Sequence, residues 1–218
     1  MLSIQKKFLF IHVPKTGGNS IQSILQEYSE DRLIAFDYQD GSNRFELRNE
    51  TYQNIRKHSN ISEYRLSMER KLYNSLFKFA TIRNPWDMMI SYYFSPHNSL
   101  GEWDRDKFIE LTQRIKTLRH YVCENPLWVQ RLKRRALYPK ILNPKLDSHI
   151  DFFIRFESLN DDFKIVCQQL DIPCINLPKK NISQRSHYSQ YYDAELREMV
   201  GKKFYEEIEL GEYTFEYC

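Results

Sequence analysis

Short apolar runs alternate along the chain with stretches in which apolar positions recur every three or four residues. The runs at 8–13 (FLFIHV), 32–36 (RLIAF), 76–82 (LFKFATI) and 150–156 (IDFFIRF) are rich in Phe and Ile and bounded by turn or polar residues, the pattern of strands. Elsewhere the spacing turns helical: Phe163, Val166, Cys167 and Leu170 follow ESLNDD, and Leu196, Met199, Val200 and Phe204 follow DAE. Strands alternating with helices predict an α/β chain built as three layers, a central and mostly parallel sheet with helices on both faces. Residues from about 104 to 135 also read as helical, broken at Asn125 and Pro126, and form a helical insertion between the third and fourth strands. Residues 39–57 are polar and weakly periodic, which predicts a surface loop or short helix beside a site. No internal repeat is visible, and 218 residues predict a single domain spanning 1–218.

Composition supports a packed core: 41% of residues are hydrophobic, and Tyr and Phe contribute 15 and 14. A formal charge of +3 is too mild to argue for nucleic acid or a membrane surface, and no RNP-type motif is present. Basic residues nevertheless cluster at QRLKRRALYPK (130–140), which reads first as a solvated face, and at LPKKNISQR (177–185). Cys123, Cys167, Cys174 and Cys218 form no CxxC pair, so free thiols in a reducing compartment are expected. No N-terminal apolar segment reaches the length of a signal core or a membrane span, which predicts a soluble, cytoplasmic protein.

The chemistry concentrates in two stretches. In HVPKTGGNS (12–20), Gly17 and Gly18 remove Cβ atoms so that backbone N–H groups can close around an anion, and the helix start behind them adds unpaired donors. Lys15 adds a full mobile charge. The order of residues is not that of a Walker loop, whose glycines precede the lysine, and the strand FATI ends on Arg83 rather than on a metal-holding carboxylate. In KFATIRNPWDMMISYYF (78–94), Asn84 caps a helix with Pro85 at its first position, leaving Arg83 at a strand's carboxyl end, where α/β sheets bind ligands. Ser91 lies seven residues past Asn84, two helical turns on, so that Arg83 and Ser91 can converge on one anion.

Two anion sites at two strand ends suit a nucleotide phosphorylated at both ends of its ribose. HVPKTGGNS resembles the 5′-phosphosulfate loop, and IRNPWDMMISYY the 3′-phosphate segment, of carbohydrate sulfotransferases that use 3′-phosphoadenosine 5′-phosphosulfate (PAPS). DFFIRFESLNDDF (151–163) and NISQRSHYSQYYDAEL (181–196) continue the resemblance. It implies the P-loop NTPase-like sulfotransferase fold and a sulfuryl transfer from PAPS to a hydroxyl of a carbohydrate acceptor, with no metal required. It further implies that Lys15 reaches the oxygen bridging phosphate and sulfate, that Thr16, Gly17, Gly18, Asn19 and Ser20 cradle the 5′-phosphate, and that Arg83 and Ser91 hold the 3′-phosphate. Ser183 and Arg185 sit where a loop closes over the nucleotide in similar proteins. Asn19 departs from the Thr or Ser usual there, which a backbone contact would survive.

Transfer to an alcohol needs a base near the attacking oxygen. His58, in RKHSNISEYR, lies between the two anion motifs, in a region that resembles the catalytic histidine region of related sulfotransferases, and imidazole titrates in the useful range. Glu63 is the alternative. His12 is expected to pack and shape the loop, and His187 to pack or cap the final helix. An acceptor cleft is expected beside residues 39–65 and the inserted helices, with Tyr52, Arg56, Trp103 and Trp128 available to hold sugars. A metal-dependent nucleotide kinase and a catalytically silent nucleotide or polyanion binder are the competing readings.

Overall fold

The computed structural model describes residues 1–35, 45–96, 98, 100–124, 145–146, 148–178 and 185–218. Its central sheet has the order β1-β2-β5-β6, from Leu2–Ser3 (β1), Phe8–Ile11 (β2), Phe77–Ile82 (β5) and Phe152–Arg155 (β6). β2 runs parallel to β5 and β5 parallel to β6, while the two-residue β1 returns antiparallel along β2. All four residues of β2 are fully buried, as expected of a strand covered on both faces, and across the β2–β5 pair Phe79 stacks on Phe10 and meets Phe8 at a tilt. The fold is thus α/β with a mostly parallel sheet flanked by helices.

The apolar run at 32–36 does form a strand, Arg32–Ala35 (β3), but outside that sheet. It pairs antiparallel with Phe45–Arg48 (β4), in a stretch whose polarity suggested loop or helix. A two-stranded ribbon needs only one apolar face, so Leu47 is buried while Arg48 faces water, and the overall polarity hides the strand.

Helices Gly18–Leu25 (α1), Ile61–Ser67 (α2), Arg70–Ser75 (α3), Leu118–Val122 (α6) and Leu159–Gln169 (α7) contribute buried residues to the apolar core around the sheet. A second core gathers Trp86, Met88, Met89, Ile90 and Tyr93 of Pro85–Tyr93 (α4), Phe108 and Leu111 of Arg105–Arg114 (α5), and Leu196 and Val200 of Ala194–Lys203 (α8), with Phe204 leading into Tyr205–Gly211 (α9). Helix α4 belongs to this second core and begins where β5 of the first ends, so the junction of the two cores falls at Arg83 and Asn84. Of the expected helical insertion, the described part up to residue 124 holds α5 and α6, separated at 115–117; Asn125, Pro126, Trp128 and the basic run at 130–140 lie outside the described residues.

Candidate active site

Because β2 and β5 are parallel neighbours, with Ile11 opposite Ala80, their carboxyl ends open side by side. Beyond β2 the chain bends through two left-handed residues, Lys15 (φ 67°) and Gly17 (φ 87°), before α1 begins. A non-glycine residue in that region carries strain of about 1 kcal/mol or more, stored here at the residue expected to do the chemistry. Gly17 is doubly constrained: besides its φ, a Cβ there would lie 3.0 Å from Phe156 and 3.1 Å from Leu159. At Gly18 a Cβ would meet the His12 ring at 2.3 Å. The first glycine is therefore required by the turn and the second by an imidazole packed against the helix start. Helix α1 has no side-chain cap and no acidic residue in its first turn, which leaves its positive end available to an anion.

Thr16 is buried and its hydroxyl turns inward, donating to the Val13 carbonyl (2.6 Å) and accepting from Thr81 of β5. What Thr16 can offer a phosphate is its main-chain N–H. Ser20 is buried, and its N–H donates to the Gly17 carbonyl (3.1 Å). The Lys15 ammonium donates to Ser95 Oγ (3.3 Å), and burial, with the charges of Arg83 and Arg185, lowers its pKa to about 8.

On the β5 side, Asn84 caps α4 by accepting from the Trp86 N–H (3.1 Å), with Pro85 at the first helical position. Arg83 donates through Nε (2.8 Å) and Nη2 (2.5 Å) to Asp87 Oδ2, and through Nη1 to the Lys15 carbonyl (2.8 Å). Its guanidinium lies 3.7 Å over the Phe156 ring. Arg185 donates to the other Asp87 oxygen, Oδ1. Burial pushes the Asp87 carboxyl up, but Arg83 and Arg185 outweigh it and hold it below the usual carboxylate range. Ser91 is buried one helical turn past Asp87. Lys15, Arg83 and Arg185 are thus brought together; Ser183, Lys179 and Lys180 lie outside the described residues.

On the opposite side of the loop, the Nδ1 of His58 stands 3.1 Å from the His12 carbonyl oxygen. A carbonyl only accepts, so Nδ1 carries the hydrogen and Nε2 keeps its lone pair. The two imidazoles lie 4.5 Å apart. Protein packed around His58 and the nearby Lys57 lower its pKa to about 4, against the opposing hydrogen bond, even though the residue opens onto a cleft. It is therefore neutral at pH 7. Burial first, then His58 and Lys57, hold His12 well below the usual histidine range as well. Among the described residues His12 Nδ1, Asn19 Oδ1 and both amide atoms of the fully buried Gln22 find no hydrogen-bond partner, a local cost of about 1–3 kcal/mol per group at and behind the loop.

The cleft holds about 870 Å³ and is lined by residues of 46–49, 53–54, 56–59 and Glu63. Its Lys57 ammonium sits 3.8 Å over the Phe45 ring. Glu63 completes a capping box on α2: its carboxylate accepts from the Asn60 N–H (2.8 Å), and its own N–H donates to Asn60 Oδ1 (3.0 Å). Trp103 is not part of this cleft. It packs against Tyr93, Phe94, Phe108 and Tyr191 in the second core. Tyr52 packs partly buried against the first. His187 caps the short turn 188–191, accepting from the Ser189 N–H, rather than the final helix.

The family model described as the sulfotransferase family matches residues 1–214. The chain belongs to that family. No curated protein and no solved structure matches it. Family membership makes it a transferase of sulfuryl groups, and several residues of this sulfotransferase's site escaped the reading of the sequence. Asp87 was visible as a first-turn helix residue, but its second partner is Arg185, far along the chain. Ser95 lies one residue past the second stretch, Thr81 lies within its strand but its pairing with Thr16 carries no local signal, and Glu157, which accepts from the Asn84 N–H (2.8 Å) and the Tyr213 hydroxyl (3.0 Å), ties the motif to the C-terminal segment. Among the described residues no helix is long and apolar enough to cross a membrane, and no cluster of three or more His, Cys, Asp or Glu is arranged to hold a metal.

Proposed function

We propose that the protein transfers the sulfuryl group of PAPS to a hydroxyl of a carbohydrate acceptor, with His58 as general base. The observation that carries this reading is the pairing of opposite chemistries across one loop: three cations on the α4 side and a neutral imidazole with a defined free nitrogen on the other. The loop amides and α1 take the 5′-phosphate, with Thr16, Gly17, Gly18 and Asn19 contributing main-chain donors and Ser20 its hydroxyl; Arg83 and Ser91, joined by Arg185, serve the 3′-phosphate, and the segment that carries Ser183 closes over the nucleotide. The acceptor enters by the 870 Å³ cleft, whose Arg48, Asn49, Gln53, Asn54 and Arg56 offer the donors and acceptors that a hydroxyl-rich ligand needs.

In the reaction the acceptor oxygen attacks sulfur in line with the phosphate oxygen. A new S–O bond forms, the bond from sulfur to the bridging oxygen breaks, and its electron pair leaves on the phosphate. Lys15 stabilises that developing charge, and the acceptor proton passes to His58 Nε2. The scheme routes no step through a metal; the charge it uses comes from Lys15, Arg83 and Arg185.

Calorimetric titration with 3′,5′-adenosine bisphosphate and with ATP, with and without magnesium, tests the donor. Magnesium-independent binding of the bisphosphate is expected, and selective magnesium-dependent binding of ATP would instead indicate a kinase. Incubation with isotopically labelled PAPS and a panel of glycans and small alcohols tests the acceptor. Label must appear on a glycan hydroxyl for the carbohydrate assignment to stand.

A further inference from the structure

The two guanidiniums of the anion site reach it from segments far apart in sequence, and both end on one carboxylate. Asp87 gives Oδ2 to Arg83 and Oδ1 to Arg185, with the three side chains only 10%, 20% and 10% exposed in the order Arg83, Asp87, Arg185. A guanidinium has five N–H donors. Arg83 commits three bonds to protein, two to Asp87 and one to the Lys15 carbonyl, and its face to Phe156. These contacts orient it from both ends, and the donors left over point where Asp87 and Lys15 direct them.

We propose that Asp87 is the positioning residue of this site: its two oxygens orient Arg83 and Arg185 as a fixed donor pair, and that pair sets the preference for a nucleotide carrying a 3′-phosphate. Asp87 touches no substrate in this role and acts through the two arginines. It stands at the first turn of α4, capped by Asn84 and started by Pro85, so the carboxylate is anchored by a rigid helix end. Its charge also limits the mutual repulsion of two guanidiniums brought into one largely buried place, which would otherwise splay them apart. The inference rests on the nucleotide reading above, and the experiment separates the two.

The measurement is the ratio of affinities for 3′,5′-adenosine bisphosphate and adenosine 5′-phosphate, by calorimetry, in the wild-type protein and in Asp87→Asn, Arg185→Ala and the double variant. The wild type is expected to favour the bisphosphate, and Asp87→Asn to lower that preference by about 10- to 100-fold, the worth of one or two charge-assisted hydrogen bonds. The affinity for adenosine 5′-phosphate should change far less, because a general loss of structure would weaken both ligands together. Arg185→Ala should lower the ratio in the same direction, and adding Asp87→Asn to it should lower the ratio by less than the sum of the two single effects. An unchanged ratio in a folded Asp87→Asn protein overturns the inference while leaving the nucleotide reading intact. Should Asp87→Asn fail to fold, an unchanged ratio in Arg185→Ala overturns it equally. A wild type that binds neither nucleotide overturns both.

Discussion

The two sides of the phosphate loop are built under the same pressure and end in opposite states. On the α4 side, burial and like charges bring the Lys15 pKa down from 10.5 to about 8; on the cleft side, packing and Lys57 bring that of His58 down from 6.5 to about 4. Both shifts disfavour the cation, yet Lys15 is still protonated at pH 7 and His58 is not. Desolvation, reinforced on each side by neighbouring cations, therefore sorts one loop's neighbours into a charge holder and a proton acceptor, because their starting values differ. The pairing differs too. Arg83, Arg185 and Asp87 pair with one another, whereas His12 and Gln22 have atoms without a partner among the described residues.

The sharpest way to break this contrast is to remove each side in turn. Lys15→Ala should lower the transfer rate by about 10³-fold, as expected when a leading stabiliser of developing charge is lost, and should also weaken nucleotide binding. His58→Ala should lower kcat by about 10²-fold while leaving affinity for 3′,5′-adenosine bisphosphate within about twofold of wild type. Steady-state kinetics beside calorimetry on each variant measures both. If His58→Ala weakens the nucleotide as much as Lys15→Ala does, the two sides are not chemically distinct.

Gly18→Ala tests the contact that fits the histidine side to the loop. Its Cβ would overlap the buried His12 ring, so the ring or α1 must shift, costing about 1–3 kcal/mol as seen by a lowered Tm. The double variant with His12→Ala should recover part of that loss, and no recovery would mean that the ring is not what Gly18 accommodates.

The smallest effect is in pH. A Lys15 that titrates near 8 in the free protein and is raised by a bound anion gives full bisphosphate affinity below pH 8, falling by at most about tenfold per pH unit above it. The unliganded protein should show the reverse trend in stability. The unfolded chain, with Lys15 at 10.5, binds more protons between pH 8 and 10.5, so this residue's contribution to stability rises with pH across that window. Titrations repeated from pH 7 to 9.5 check the first trend, and Lys15→Arg should flatten it.

Much of this was legible in the sequence, for reasons that differ by residue. β2, β5 and β6 announce themselves as apolar runs because strands buried in a parallel sheet need no alternation. The Asn84–Pro85 helix start is written locally, as is the loop's bend, since the positive φ of Gly17 and the contact of Gly18 with His12 are set within a few residues, although the wall that closes on Gly17 is not. β4 was hidden because a solvent-facing ribbon is mostly polar. The inward turn of the Thr16 hydroxyl depends on Thr81, the docking of His58 on the His12 carbonyl, and the role of Asp87 on Arg185; each is a side-chain pairing across the fold, which no local pattern encodes.

One contact carries a consequence for how the protein is made. The bend at Gly17 is closed by Phe156 and Leu159, and the backbone at Lys15 is tied by Arg83, so a signature written within the first twenty residues is completed only by chain that emerges from the ribosome much later. Such long-range closure slows folding, and a nascent fragment that stops short of β6 holds every residue of the loop without its walls.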